Sequence, residues 1–331
     1  MRRNKGQGLQ GSAGMVRLRQ AGVFFVESKF VRTLAVTLTG VRRVISAGAR
    51  DSMRAGGGGL VSSIEVNGTR IYYEKRGRGP AVLFVSGGTG DAGHWTTVAD
   101  ILADAYTVIT YDRRGNSRSP RPPGWTSTTI GEQADDAAAL LRGLDLVPAI
   151  VFGTSAAAGI LADLCLRHPH VAHGAIFHEA AFPSGVPDIG AVNAARKARI
   201  EEGMARGGPR AAMELYLRSV AGDEVYESLD PQLRERLLGN AGVLFGIEMA
   251  PYLAYDPAPG ELASIRVPRA VTAGADNRDI AAAGHWRYQV AQWLAAHLQT
   301  TVIELPGAHM GYLGQPEHFA TALRPILDRH I

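Results

Sequence analysis

Short apolar runs that alternate with stretches of helical spacing are the feature that most restricts how this chain folds. The apolar runs are residues 81–85, 106–111, 149–152, 173–177, 269–273 and 301–305. Helical spacing is found in residues 95–105, 130–144, 156–167 and 286–298, and again from about residue 317. Buried strands that alternate with helices indicate a mostly parallel sheet covered on both faces. We therefore predict a fold of the α/β class.

Two regions depart from this alternation. Near the start, Asn67-Gly68 separates two strand-like segments, which predicts a β-hairpin with a type I′ turn. Between about residues 181 and 266 there is no convincing strand, and helical spacing recurs in residues 191–206 and 211–220. A helical insertion after a sheet strand is typical of a lid. We predict one domain over residues 61–331, with a helical lid at about 181–266.

The first sixty residues differ from the rest in charge. They contain 11 Lys or Arg and 2 Asp or Glu, whereas the remainder contains 24 and 29. They end in the glycines 56–59, a pattern typical of a flexible linker. An Arg-rich, acid-poor leader fits an organelle transit peptide. A start codon placed too early, with Met15 or Met53 as later candidates, is the interpretation we favour. Under both, residues 1–60 form a disordered extension outside the fold.

Composition argues against several classes of protein. The folded part is mildly acidic and lacks the basic surface that nucleic-acid binding requires. No run of eighteen apolar residues is present, so we expect no membrane-spanning helix and no membrane partner. The single cysteine, Cys165, lies among apolar residues, and we interpret it as a buried hydrophobe and not as a nucleophile. One cysteine suits a reducing compartment, and we expect a cytoplasmic protein.

Ser155 lies between a predicted strand and a predicted helix, in the Gly-x-Ser-x-Ala pattern of residues 153–157. A serine at such a junction sits on a sharp turn that holds its hydroxyl above the sheet. The turn brings backbone close to backbone and therefore needs small neighbours, which Gly153 and Ala157 supply. We interpret Ser155 as a nucleophile. A small-residue junction without chemistry is the alternative.

The element order from Ser62 onward, together with several motifs, resembles the α/β-hydrolase superfamily. Residues 85–90 match the family's oxyanion loop, and residues 112–119 match its turn after the fourth strand, where we expect the charges to fix the loop. The resemblance implies that the backbone N–H groups of Gly88 and Ala156 stabilise an oxyanion. The chain departs from the family at Ser86, which replaces a usual histidine, and at Ala157, which replaces a usual glycine.

The resemblance also implies a general base and an acid. His309 lies in a glycine-flanked loop after the last strand, where the family has its base. Asp276 lies near the family's commonest acid site, although Asn277 occupies the usual position. Glu179 follows the strand before the lid, in a His-Glu pair similar to that of the fungal zearalenone lactonases, which take their acid from there. We prefer Glu179 and keep Asp276 as the alternative.

These parts predict hydrolysis of an ester, lactone or related acyl bond of a small or medium apolar substrate, through an acyl-enzyme on Ser155. C–C bond hydrolysis uses the same parts, and a small-molecule receptor with little turnover has the same fold. Both stay open. No metal-ligand spacing is present, and we expect no metal and no other cofactor. The large side chains expected at the pocket are Phe182, Tyr216, Phe245, Met249, Tyr252 and Tyr255, with Trp95 either at the pocket or in helix packing.

Overall fold

The computed structural model describes residues 53–54 and 60–330. The strands are β1 (Met53–Arg54), β2 (Leu60–Val66), β3 (Thr69–Arg76), β4 (Ala81–Val85), β5 (Thr107–Tyr111), β6 (Ala149–Thr154), β7 (Ala172–His178), β8 (Arg269–Gly274) and β9 (Val302–Leu305). They form one sheet in the order β1-β2-β3-β5-β4-β6-β7-β8-β9. Strands β4 to β9 are parallel, and β1 to β3 extend the sheet antiparallel at one edge. The predicted α/β class is confirmed.

The helices of the described residues follow the predicted alternation and add a run of shorter helices between β7 and β8. They are α1 (Thr96–Leu102), α2 (Ile130–Gly143), α3 (Ala157–Arg167), α4 (Ile189–Ala221), α5 (Asp223–Ser228), α6 (Pro231–Gly239), α7 (Ala241–Val243), α8 (Met249–Ala254), α9 (Pro259–Ser264), α10 (His285–His297), α11 (Gly311–Gly314) and α12 (Pro316–Asp328). A π-helical turn, Leu244–Glu248, joins α7 to α8.

Helices cover both faces of the sheet because successive strand side chains point to opposite sides. In β4, Leu83 and Val85 pack with α2 and α3, whereas Val82 and Phe84 pack with α1 and α12. Cys165 on α3 is buried in the first of these layers, and burial raises the pKa of its thiol to about 12. It therefore behaves as the apolar side chain that the sequence predicted.

Of the two predictions for the N-terminal part of the chain, the hairpin lies within the described residues, and the extension lies largely outside them. The hairpin between β2 and β3 pairs Val66 with Thr69, and Asn67 and Gly68 have positive φ angles of 46° and 71°, as a type I′ turn requires. The predicted extension, residues 1–60, lies outside the described residues except for residues 53, 54 and 60.

The segment between β7 and β8, assigned above to a lid, contains helices α4 to α9 and no strand within the described residues. The two helical pieces predicted around residue 200 are the two arms of α4. They meet at Gly207 and Gly208, which have non-helical dihedral angles and precede Pro209. Because proline cannot donate a hydrogen bond inside a helix, the bend lies at this point.

A buried ion pair joins this segment between β7 and β8, called the lid below, to the sheet. The guanidinium of Arg113, after β5, contacts the carboxylate of Glu248 in the lid, with 3.0 Å between Nη2 and Oε2, and both side chains are fully buried. Burial lowers the pKa of Arg113, but the charge of Glu248 outweighs it and raises the pKa above the ordinary value. Arg113 also donates to the carbonyl oxygens of Ser86 and Gly87.

One stretch of the lid, Pro231–Ala254, is long and apolar enough by length and composition to cross a membrane, which the sequence analysis did not expect. In the structure, 44% of its apolar window is buried inside the protein. Within it, Asn240 donates to the carbonyl oxygen of Thr89, and Glu248 pairs with Arg113. Part of the apolar surface of this stretch therefore packs the lid against the core.

The ion pair gives a stability prediction. We expect Glu248→Ala to lower the free energy of unfolding by about 3–5 kcal/mol, because removal of one partner leaves an uncompensated buried charge. Glu235→Ala is the matched control in the same lid: Glu235 pairs with Arg210, and the two side chains are 67% and 54% exposed. Its loss should stay below about 1 kcal/mol. Urea unfolding measures both, and equal losses would contradict this view of the lid.

Candidate active site

Ser155 occupies a strained turn between β6 and α3. Its φ angle is +55°, which non-glycine residues rarely adopt, and its N–H donates to the carbonyl oxygen of His178 at 2.9 Å. The turn is tight, because a Cβ on Gly153 would lie 2.7 Å from the carbonyl oxygen of Ala157. Alanine at position 157 therefore does not open the turn. The side chain of Ser155 reaches the wall of a cavity under the lid.

The loop after β4 packs directly against this turn. A Cβ on Gly87 would lie 3.0 Å from the carbonyl oxygen of Thr154 and 3.1 Å from Cβ of Ser155, so a larger residue would fit only if the turn shifted by a few tenths of an ångström. Gly88 and Ala156 line the same cavity as Ser155. Among the described residues, their N–H groups donate to no backbone carbonyl. These two amides are placed where the predicted oxyanion hole requires free donors.

Ser86, which stands where the family usually has histidine, holds this loop in shape. Its hydroxyl donates to the carbonyl oxygen of Asp91 at 2.8 Å and accepts a hydrogen bond from Nε1 of Trp95 at 2.9 Å. Together with the two hydrogen bonds from Arg113, these contacts fix the loop from behind. The side chain of Ser86 therefore positions backbone and does not line the cavity.

The loop after β9 places His309 beside Glu179, which follows β7. Nδ1 of His309 lies 2.6 Å from Oε2 of Glu179. The other carboxylate oxygen accepts hydrogen bonds from the N–H of Gly274 at 2.8 Å and from Nδ2 of Asn277 at 2.7 Å. Burial raises the pKa of Glu179, but the hydrogen bond and charge of His309, with the Asn277 bond, outweigh it and bring the pKa to about 2. Glu179 is therefore a carboxylate.

The ionised acid determines the state of the imidazole. Because Glu179 only accepts hydrogen bonds, Nδ1 of His309 carries the proton, and Nε2 is left to accept one. Burial lowers the pKa of His309, the charge of Arg287 lowers it further, and Glu179 opposes both. The side chain is therefore neutral near pH 7. A neutral histidine with a free nitrogen is what a general base requires.

Asp276, the alternative acid, lies elsewhere. Its side chain is exposed, its N–H donates to the carbonyl oxygen of Gly307, and among the described residues it has no hydrogen bond to His309. Asn277, at the position usual for the acid, instead donates to Glu179. The sequence analysis noted Asn277 only as a departure from the family pattern and missed this supporting contact.

Ser155, His309, Gly88 and Ala156 line one cavity of about 450 Å³ beneath the lid. Of the aromatic and large apolar residues expected there, Tyr216, Met249 and Tyr252 lie on its wall. Phe182 and Tyr255 line a small adjoining recess that also contacts Ser155. The cavity is large enough for a small or medium organic substrate.

The structure decides between the two alternatives predicted for Trp95 and contradicts the pocket prediction for Phe245. Trp95 is fully buried and stacks between Phe84 and Tyr312, at ring-centroid distances of 4.6 and 4.2 Å, so it belongs to the core behind the loop. Phe245 lies on the lid with its ring 6.0 Å from that of Tyr216 and is not on the cavity wall. In both cases the residue is near the site in sequence or space, but its side chain packs against another ring.

The sequence analysis also missed three arginines. Arg196 and Arg199 from α4 and Arg287 from α10 line the cavity, and none of them belongs to a recognisable motif. An arginine on a helix is ordinarily a surface residue, and the packing of α4 and α10 over the sheet brings these three to the cavity, with Arg199 exposed and the other two half-buried. No signal in the sequence identifies them.

Comparison with known proteins identifies the family to which this fold belongs. The family model for the alpha/beta hydrolase fold matches residues 80–316. The chain is 32% identical over 271 residues to the uncharacterized hydrolase YraK of Bacillus subtilis, which covers 81% of this chain and 96% of that protein. Over 116 residues it is 35% identical to the zearalenone hydrolase of Bionectria ochroleuca, covering 34% of this chain and 44% of that protein.

A solved structure agrees with this assignment. A thermophilic esterase from Thermogutta terrifontis has a TM-score of 0.65 at 20% identity, covering 86% of this chain and 99% of the other. The chain belongs to the α/β-hydrolase family and is a hydrolase. The resemblance drawn from the motifs is thereby confirmed.

Proposed function

We propose that this protein is a serine hydrolase that cleaves an ester or lactone through an acyl-enzyme on Ser155. The observation that carries the proposal is the 2.6 Å contact between His309 and an ionised Glu179, on a cavity wall that His309 shares with the strained Ser155. The esterase named for the structural neighbour supports the same type of bond. A lactone is a cyclic ester and needs no additional group in the site.

The reaction uses each of these residues in turn. Oγ of Ser155 attacks the substrate carbonyl carbon while its proton passes to Nε2 of His309, and Glu179 stabilises the imidazolium. The N–H groups of Gly88 and Ala156 bind the oxyanion, where one donor is typically worth about 10²–10³ in rate. His309 returns the proton to the leaving oxygen. It then takes a proton from the water that attacks the acyl carbon, which releases the acid and restores Ser155.

Labelling with a fluorophosphonate tests this proposal without knowledge of the substrate. We expect loss of fluoride and addition of one phosphonyl group to the folded protein, mapped by peptide sequencing to Ser155, because Ser155 shares the cavity wall with His309 and its strained turn presents the side chain there. Heat-denatured protein is the control and should not react. A protein that binds small molecules tightly but takes up no phosphonyl group, or takes it up at another serine, would contradict the proposal and favour a receptor.

A further inference from the structure

The charge of the cavity wall is not explained by hydrolysis of a purely apolar substrate. Three guanidinium groups, those of Arg196, Arg199 and Arg287, line it together with apolar side chains. No aspartate or glutamate is among its lining residues in the described part of the chain. Glu179 lies behind His309, where its two oxygens are taken by His309, Gly274 and Asn277. The wall is therefore positively charged next to the nucleophile.

Of these three arginines, Arg287 is the one whose lack of a carboxylate partner says most about the ligand of the cavity. Other arginines around the core each pair with a carboxylate: Arg113 with Glu248, Arg114 with Asp136, Arg118 with Asp112 and Arg236 with Asp91. Within the described residues, the guanidinium of Arg287 has neither a hydrogen bond nor an ion pair, and its nearest ring is that of Trp286, 4.4 Å away. Burial lowers the pKa of Arg287, Glu179 opposes this, and Arg196 adds to it.

Arg287 is half-buried on the cavity wall, and within the described residues no carboxylate neutralises its charge, so an anionic ligand can pair with it there. Guanidinium presents a planar pair of N–H donors that matches a carboxylate. Arg199 is exposed and Arg196 is half-buried, with Nη1 donating to Asn193, so these two lie toward the mouth of the cavity. Their charges favour entry of an anion. The apolar remainder of the wall suits a hydrocarbon spacer.

We propose that the substrate is an ester or lactone that also carries a carboxylate, and that Arg287 binds this carboxylate inside the cavity while Arg196 and Arg199 attract it at the mouth. This inference rests on the proposed hydrolase function for the bond that is cleaved. The bound carboxylate also neutralises Arg287, whose charge lowers the pKa of His309. An anionic substrate thus makes the general base stronger, which an uncharged substrate of the same length does not do.

Two 4-nitrophenyl esters with six-carbon acyl chains test the proposal. One is the hexanoate and the other the adipate monoester, which ends in a free carboxylate. We expect wild-type protein to have the higher kcat/KM for the adipate monoester, and Arg287→Met to lower the ratio of the two constants by about 10–100-fold, the worth of a hydrogen bond to a charged group. The ratio does not depend on how much of the variant is folded. Arg70→Met, which removes an exposed charge from β3, should leave it unchanged.

The pH dependence of kcat/KM shows whether Arg287 acts on His309 through its charge or has only a structural role. Only neutral His309 acts as a base, so kcat/KM falls as the pH drops through its pKa. The charged and titratable groups around Arg287 and His309 are Glu179, Arg196, Tyr216, Tyr312 and His178. Removing the charge of Arg287 raises the pKa of His309, and the acid limb for the hexanoate should move to higher pH in Arg287→Met. An unmoved limb would place Arg287 away from the reacting groups.

Binding to an inactive variant distinguishes failure of this inference from failure of the hydrolase proposal. Calorimetry with adipate on Ser155→Ala should show binding that weakens with salt and is lost when Arg287→Met is added. If both esters stay intact but adipate binds in this way, the hydrolase proposal fails and the carboxylate site stands. If both esters are cleaved with a ratio that Arg287→Met does not change, and adipate does not bind, the carboxylate site is overturned and the hydrolase proposal stands.

Discussion

Ser155→Ala should reduce the turnover of a 4-nitrophenyl ester on the order of 10⁴–10⁶-fold, because in the proposed mechanism Ser155 supplies the hydroxyl that forms the acyl-enzyme. The oxyanion donors and the cavity remain, so substrate binding should change little. Steady-state kinetics at saturating ester measures the loss in kcat. The initial burst of nitrophenol, which reports acylation, should vanish as well.

Ser228→Ala is the control for this experiment. Ser228 is exposed at the end of α5, and its hydroxyl donates only to the carbonyl oxygen of Val225, so the substitution should leave kcat and KM as they are. Ester turnover that survives in Ser155→Ala would show that the reaction runs through another group. A general surface effect on the lid would instead lower the rate in both variants.

The second large effect is expected at the acid. Glu179→Gln should lower kcat by about 10⁴-fold, the loss typical when the acid of such a triad becomes an amide. An amide neither fixes the proton on Nδ1 of His309 nor stabilises the imidazolium. Gly274 and Asn277 donate to the same oxygen, so the NH₂ group would face either these two donors or Nδ1 of His309, which would then have to lose its proton. Steady-state kinetics, with thermal unfolding as a check on folding, measures the effect.

Asp276→Asn provides the matched comparison, since it makes the same change of charge one loop away. Asp276 is exposed and is not hydrogen-bonded to His309 in the described residues, so kcat should change little. A larger loss in Asp276→Asn than in Glu179→Gln would assign the acid to the β8 loop. Equal and small losses would mean that His309 works without either carboxylate.

The sheet could be predicted because the parallel strands β4 to β8 are buried on both faces and therefore appear as apolar runs, whereas β9 at the edge is only partly buried. Ser155 and His309 could be singled out because both stand at junctions whose small residues reflect close backbone approach. From the sequence, the acid that partners His309 could be narrowed only to Glu179 or Asp276. Strands β7 and β8 are neighbours, so Glu179 and Asp276 both follow them at the same edge of the sheet. Side-chain direction, which the sequence does not contain, separates them.

The cavity was much less predictable, since its wall comes from contacts between distant segments. Trp95 follows the loop after β4 closely in sequence, yet its ring packs behind the loop between Phe84 and Tyr312. Arg287 is the opposite case. It lies on α10, whose sequence has no distinguishing pattern, and the packing of α10 brings it to the cavity. Which helical residues face a substrate depends on the lid, and lid packing is a tertiary property.

The ion pair between Arg113 and Glu248 links the oxyanion loop and the lid, two parts of such a protein that are usually treated as separate. One side of Arg113 holds the carbonyls of Ser86 and Gly87, and the other holds the lid. Displacing the lid at Glu248 would leave a buried cation that also anchors the oxyanion loop. A lid transplanted from another hydrolase onto this sheet would therefore need its own carboxylate at this point, since the same arginine supports the lid and the oxyanion loop.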